Sequence, residues 1–463
     1  MEENSRGSFG GSIGFVLAAA GSAVGLGNIW RFPYLAARDG GGLFLVVYLV
    51  LAITFGFALL TSEIAIGRKT KQSPLTAYKK LSEKFGFVGF LACLIPFMIM
   101  PYYSVIGGWV VKYFIAFLTG HGEEAAEDGF FTGFITHQTE PIIMMVVFLF
   151  ACALIIYMGV DKGIEKSSRI IMPILLILVI GIAVFSLTIK HTNDAGQTVT
   201  GLEGLKVYVV PSLEGVGIKE FFFVLTDALG QLFFSLSIAM GIMIAYGSYV
   251  PDDANLVKSI NQIEIFDTAV AFLAGVMIIP AVFVFNGTDG MSAGPSLMFV
   301  TLPKIFVAMG KVGNVIGTMF FAMVLFAAVT SGMSVLEAVV SSFIDKFHMA
   351  RESATIVETI AALVIGVIVC LGYNILYFEV TLPNGSVAQI LDILDYISNL
   401  VLMPIVAIAT CILVGWVIKP ETVIEETTRN GEKFGRRGLY IAMIKFIAPV
   451  LLVVLFLISV GII

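Results

Sequence analysis

Polar chemistry sits inside strongly apolar sequence at several points of this 463-residue chain. The stretch GFVLAAAGSAVGLGNIWRFPYL carries Gly21, Gly25, Gly27 and a polar Asn28 at its centre. FFSLSIAMGIMIAYGSYV carries Ser235, Ser237 and Gly241. Asp267 interrupts EIFDTAVAFLAG, and Thr330-Ser331 interrupts an apolar run near 312–343. A carboxylate in such surroundings needs a cation, a donor cluster or a proton. Hydroxyls in an apolar helix usually bond back to a carbonyl one turn earlier. Their other use is as oxygen ligands to a hard cation, together with backbone carbonyls freed where a helix unwinds. Neutral oxygens suit a monovalent ion better than Mg²⁺ or Ca²⁺, and no His/Cys cluster supports a transition metal.

Other charges share apolar surroundings. Arg31 and Asp395 sit in the outer parts of their runs, where opposite charges at similar depth serve as a gate or as a structural ion pair. Glu63 and Glu337 lie nearer the inner ends of theirs and read as packing or gating charges. In GIEKSSRIIMP, Gly163 precedes Pro173. Pro removes a backbone donor and Gly weakens the turn, so this helix either kinks or partly unwinds at its start. Cys93, Cys152, Cys370 and Cys411 fall in apolar runs without metal-site spacing. They are expected to be packing residues without a disulfide.

The elements that must position these groups are membrane spans. The chain is 58% hydrophobic and 13% charged, against about 25% charged in ordinary soluble domains. Runs able to cross about 30 Å of hydrocarbon recur. They lie near 12–38, 42–67, 88–118, 141–158, 167–189, 220–247, 261–286, 312–343, 355–373, 388–418 and 440–462, eleven in all. The first run is too long for a signal-peptide core, so no cleavable segment is expected. Lys and Arg cluster between the second and third runs (Arg68, Lys69, Lys71, Lys79, Lys80, Lys84) and before the last (Lys419, Arg429, Lys433, Arg436, Arg437). Such clusters mark cytoplasmic loops, which puts the N-terminus in the cytoplasm and the C-terminus outside. The net charge of −6 says little about partners once charges are sorted by side. Neither a nucleic acid nor an obligate protein partner is indicated. No soluble domain is visible, although 190–219 and 287–311 have room for short helices.

The first and sixth runs hold glycine and polar residues at mid-membrane. Glycine costs about 1 kcal/mol against alanine in a helix, and polar backbone at that depth must be buried in protein or line a cavity. Close packing through Gly21-x-x-x-Gly25 would account for the glycines alone; their polar companions favour an interruption. Interrupted runs in corresponding positions of two five-helix halves point to a secondary transporter's central site.

With these residues in place, the chain resembles the neurotransmitter:sodium symporter family. GSAVGLGNIWRFPY (21–34) is similar to that family's first-helix signature nearly letter for letter. DGGG (39–42), PYYSVIGGW (101–109), GQLFFSLS (230–237), TSGMSVLE (330–337) and LDYIS (394–398) follow in order. The resemblance implies an all-α integral membrane protein of the leucine-transporter-type fold in one transporter domain. Two inverted five-helix repeats (about 12–190 and 220–418), with helices 1 and 6 unwound mid-membrane, precede an extra helix (about 440–462). It implies a multi-pass, sodium-coupled symporter of the cell membrane, working by alternating access, and not an enzyme.

The same resemblance assigns residues. An amino-acid carboxylate is held by the Leu26 and Gly27 backbone N–H groups at the end of a half-helix and by the Tyr103 hydroxyl. A first Na⁺ is bound by the Ala23 carbonyl, Asn28, Ser235, Asp267 and the substrate carboxylate. A second is bound by the carbonyls of Gly21, Val24 and Ala327 and the hydroxyls of Thr330 and Ser331. Phe234 and Tyr103 form a lid under an Arg31–Asp395 outer gate. Arg6 and Asp345 fall where the inner gate pair is expected, and Gly163–Pro173 matches the family's unwinding motif.

Departures from the family pattern carry information. The inner gate's usual Trp is Phe9, and a twelfth helix is missing. Gly25 stands where monoamine carriers have Asp, leaving room for a carboxylate. Chloride-dependent relatives have Asn at position 267 and Ser where this chain has Ala271. A fixed carboxylate beside Na⁺ offsets the desolvation cost of both, so chloride is not expected as a cofactor. The implied side-chain pocket of Ile99, Phe234, Ser237, Met240, Ser331 and Val335 holds no charge. An unpaired charge there would be costly and Met adapts to varied shapes, so a large hydrophobic or aromatic amino acid is the expected substrate.

Three rivals remain at this level. A proton-coupled carrier on the same scaffold would use Asp267 as relay, and a nutrient sensor would bind without transporting. An intramembrane protease fits poorly, since His121, His137, His191 and His348 lie in or near loops and Asp267 and Asp395 lie at different depths.

Overall fold

A computed structural model describes residues 7–192, 196–212, 217–287, 290–291 and 294–462. Arg6, expected at the inner gate, lies outside the described residues. In hydrocarbon a helix satisfies its backbone from within the segment, and helices dominate here. The first run is a bent pair, α1 (Ser12–Ala23) and α2 (Gly27–Arg38), with 54° between the halves. Then come α3 (Gly42–Thr70), α4 (Glu83–Leu118), α5 (Glu140–Tyr157) and α6 (Val160–Thr188). The sixth run is split into α7 (Ile218–Ser235) and α8 (Ile242–Ser248). The chain continues through α9 (Leu256–Asn286), α10 (Lys311–Phe347), α11 (Arg351–Leu371), α12 (Ile390–Val417) and α13 (Arg437–Ser459).

Among the described residues nine of these helices are long and apolar enough to cross a membrane singly, or ten with the bent pair. The eleventh expected run is the sixth, divided at residues 236–241. Ser237 (φ 51°), Ala239 (φ 63°) and Gly241 (φ 76°) all have left-handed backbone there. For a non-glycine residue that costs about 1–3 kcal/mol unless the surroundings enforce it. At Gly241 a Cβ would also press on the Ala92 carbonyl and Pro74.

The breaks are enclosed by unbroken helices. α10 packs against α1, α4, α6 and α11, and α9 against α1 and α6. α8 lies along α3, and α13 rests on α12. Apolar side chains such as Phe150, Ile177, Ile360 and Val450 are exposed, as surfaces facing lipid tails should be. The room for short helices is used by Gly201–Val209 and Leu302–Ala308. The strands Lys190–Thr192 and Thr198–Thr200 pair antiparallel before the first of these. The four cysteines are buried and free.

α3 and α8 approach backbone to backbone. A Cβ on Gly67 would overlap the Ile244 carbonyl oxygen, and one on Gly247 the Ile64 carbonyl oxygen. Gly67→Ala and Gly247→Ala are each expected to destabilise the protein by about 1–3 kcal/mol through overpacking. Melting in detergent should drop for both single variants. Unchanged melting would mean that the α3–α8 contact is not tight.

Candidate functional site

The site is built where the two helix breaks meet. Breaking a helix releases backbone donors and acceptors that have no water to turn to. The Ser22 carbonyl accepts from Ser237 Oγ (3.0 Å) and from Ser331 Oγ (3.0 Å). Ser22 Oγ in turn donates to Ser237 Oγ (3.1 Å). The Gly27 carbonyl accepts from Gln231 Nε2 (3.1 Å), and the Ala239 N–H donates to Glu63 Oε1 (2.7 Å). Thus α3, α7 and α10 supply what the broken helices lack.

Two oxygen clusters flank this junction. In the first, Asp267 of α9 is fully buried. Its Oδ1 accepts from Asn28 Nδ2 (2.9 Å), and Ser235 Oγ lies 2.8 and 2.9 Å from its two oxygens. The Tyr48 hydroxyl is 3.4 Å from Oδ2. The second cluster lies between α1 and α10. Ser331 Oγ is 3.4 Å from the Gly21 carbonyl, and Thr330 Oγ1 donates to the Ala327 and Phe326 carbonyls at 3.0 Å. Val24 closes α1, its N–H donating to Ala20. One carboxylate among neutral oxygens in the first cluster, and neutral oxygens alone in the second, fit a monovalent cation as cargo.

Between the clusters the chain packs closely against its two glycines. A Cβ on Gly25 would stand 2.8 Å from Ser331 Oγ and 3.8 Å from the Tyr103 hydroxyl; one on Gly27 would stand 2.8 Å from the Phe234 ring. The Tyr103 hydroxyl is buried and has no hydrogen-bond partner among the described residues. A buried donor without a partner is costly, so this atom marks a place for a ligand acceptor. A cavity of about 300 Å³ is lined by Leu26, Gly27, Tyr103 and Phe234, and by Arg31 and Asp395. Ile99, Ser237, Met240 and Val335 are buried and do not line it.

Arg31 and Asp395 share the cavity, but among the described residues no ion pair within 4.0 Å joins them. Asp395 Oδ1 instead accepts from Asn399 Nδ2 (2.6 Å), one turn along α12. At the other end of the bundle contacts are dense. Glu337 binds Arg351 through both oxygens (2.7 and 3.0 Å) and accepts from Tyr249 (2.5 Å). The Phe9 N–H donates to the Tyr249 carbonyl (3.1 Å), and its ring meets Phe15, Tyr246 and Tyr249. Asp345 accepts from the Ser73 N–H (2.6 Å).

α6 runs helical through both Gly163 and Pro173, with a wide π-turn over Val160–Glu165. A Cβ on Gly163 would overlap the Ile155 carbonyl oxygen, so the glycine also answers a packing need. From that turn Glu165 accepts from the Gly10 N–H (2.7 Å) and from Arg169 (2.6 Å). A Cβ on Gly14 would overlap the Glu165 carboxyl.

Sequence reasoning missed Ser22, Tyr48 and Gln231, and gave Glu63 no firm role. Ser22 and Gln231 lie inside the motifs singled out above. Their polarity at mid-membrane was the available signal.

Comparison with known proteins bears on this geometry. A model of the Sodium:neurotransmitter symporter family matches residues 6–123 and 132–463. An uncharacterized sodium-dependent transporter of Bacillus subtilis is 33% identical over 100% of this chain and 99% of its own. The human sodium- and chloride-dependent GABA transporter 2 is 25% identical over 75% of this chain and 63% of its own. The crystal structure of MhsT in complex with L-phenylalanine superposes with a TM-score of 0.84 at 34% identity, covering 98% of this chain and 99% of that one.

Tyr103→Phe removes a hydroxyl for which no hydrogen bond is formed among the described residues. Melting in detergent without ligand is therefore expected to stay within roughly 0.5 kcal/mol. A ligand that accepts from this hydroxyl should lose about 0.5–1.5 kcal/mol, or roughly two- to tenfold in affinity. Calorimetry without and with added amino acids reads both quantities. A marked drop in ligand-free stability would make the hydroxyl structural.

Proposed function

The chain belongs to the sodium:neurotransmitter symporter family and is a multi-pass, sodium-dependent membrane transporter with the leucine-transporter-type fold; on that premise we propose that it imports large hydrophobic or aromatic L-amino acids with two sodium ions and without chloride. The observation that carries this reading is the Asn28–Asp267–Ser235 cluster, in which residues from both interrupted helices meet one buried carboxyl.

In this reading Leu26 and Gly27 N–H groups and Tyr103 take the substrate carboxylate, and Gly25 leaves it space. The first sodium uses the Ala23 carbonyl, Asn28, Ser235, Asp267 and that carboxylate. The second uses the Gly21, Val24 and Ala327 carbonyls with Thr330 and Ser331. The side chain enters the pocket of Ile99, Phe234, Ser237, Met240, Ser331 and Val335. The L-phenylalanine of the MhsT complex supports an amino-acid substrate.

Asp267 supports independence from chloride, since its carboxylate would supply negative charge beside the first cation site, and Ala271 offers no hydroxyl nearby. Sodium binding would favour the outward-facing form by its differential affinity, and substrate would close Phe234 and Tyr103, then Arg31 and Asp395. Release follows when the inner contacts, with Arg6 and Asp345 among them, open and α6 unwinds at Gly163. The two five-helix repeats move against each other in one domain. The N-terminus is cytoplasmic and the C-terminus outside. A membrane potential adds about 2.3 kcal/mol per charge per 100 mV.

The decisive experiment is radiolabelled phenylalanine uptake into proteoliposomes under an inward sodium gradient, with chloride or gluconate as the anion. Accumulation that requires sodium and is equal in both anions is expected. Uptake indifferent to sodium would sink the coupling, and collapse in gluconate would sink the chloride claim.

A further inference from the structure

Glu358 takes part in none of the contacts described above. It lies about two turns into α11, fully buried, and neither of its carboxyl oxygens has a hydrogen-bond partner among the described residues. The buried face of α11 includes Ala354, Ala362 and Gly366 at about one residue per turn around Glu358, together with Thr355, Val369 and Cys370. The carboxyl therefore projects from a stripe of small residues into a tight helix interface. α4, α5 and α10 pack against α11.

Among the described residues no ion pair or hydrogen bond from these helices reaches the Glu358 carboxyl. Cys93 of α4 and Ser342 of α10 are both buried on helices that pack against α11. Asp345 follows Ser342 by about one turn and is half-buried at the end of α10, where Ser73 meets it. Of the other titratable groups on these elements, Tyr157 of α5 lines an apolar cleft with Thr355 and Thr359. Glu337 and Arg351 are taken by each other and by Tyr249. A carboxylate with neither counter-charge nor donors is strongly disfavoured in such surroundings, and ionisable groups kept there are usually functional.

We propose that Glu358 is a proton-binding site within the membrane, exchanging its proton with the inner aqueous side along Cys93, Ser342 and Asp345. The neutral acid is the form that fits the packed interface. The carboxylate left after release, its proton passed to bulk water, opposes that packing. Transport then responds to internal pH, and uptake falls as internal pH rises. This pH response rests on the carrier reading above; the protonation of Glu358 itself does not.

Two measurements on the full chain separate those claims. In detergent at neutral pH, the infrared band of a protonated carboxyl is expected in the wild type and missing from Glu358→Gln. Because Glu63 is also buried with an unpartnered oxygen, the readout is the difference spectrum, and the absence of a protonated-carboxyl band from wild type minus Glu358→Gln overturns the proposal whatever the substrate. In proteoliposomes at fixed external pH and sodium gradient, phenylalanine uptake by the wild type should fall several-fold across the internal pH range. One proton sets a limit of about tenfold per pH unit. Glu358→Gln should give a flat profile with sodium-dependent binding retained, whereas identical profiles overturn the proposal. Should Glu358→Gln fail to fold, Cys93→Ala decides: a displaced midpoint supports the route, and an unmoved one overturns it.

Discussion

The structure depends on one constraint: backbone groups released inside a membrane have to be matched by protein. Two interrupted helices release several such groups at one depth. The Ser22 carbonyl takes two hydroxyls, one from the second break and one from α10, the Gly27 carbonyl takes Gln231, and the Ala239 N–H takes Glu63. Each match fixes a long-range distance between elements. The enclosing order of α3, α7, α9 and α10 follows from those distances as much as from apolar packing. The left-handed residues at 237 and 239 persist because these bonds and the surrounding helices enforce them.

Much of this was legible in the sequence, for identifiable reasons. Apolar length and glycine placement announce the spans and both interruptions, because they reflect local preference. Asn28, Ser235 and Asp267 were expected together and are bonded together. Ser22 and Tyr48 were not read, because their importance arises from partners far away in the chain. Glu358 was overlooked because its neighbours Ala354, Ala362 and Gly366 give an ordinary small-residue face; only burial shows that the carboxyl has no partner.

The two ends of the bundle are treated differently. Arg31 and Asp395 line an open cavity without pairing, while Phe9, Tyr249, Glu337 and Arg351 form a continuous set of ring and charge contacts. Phe9 meets three aromatic rings in T-shaped or tilted geometry, a favourable arrangement for their quadrupoles. The aromatic cluster thus keeps its packing without an indole at that position.

The contact between Gly14 and Glu165 also limits how this sequence can drift. Position 14 cannot acquire even a methyl group while a glutamate of full length reaches past it to Gly10 and Arg169. A shorter acid at 165 would free space at 14 but surrender the hold on the first residues of the chain. Substitutions at these two distant positions are therefore tied, and a lineage that changes one first must pass through a poorly packed or poorly anchored ancestor.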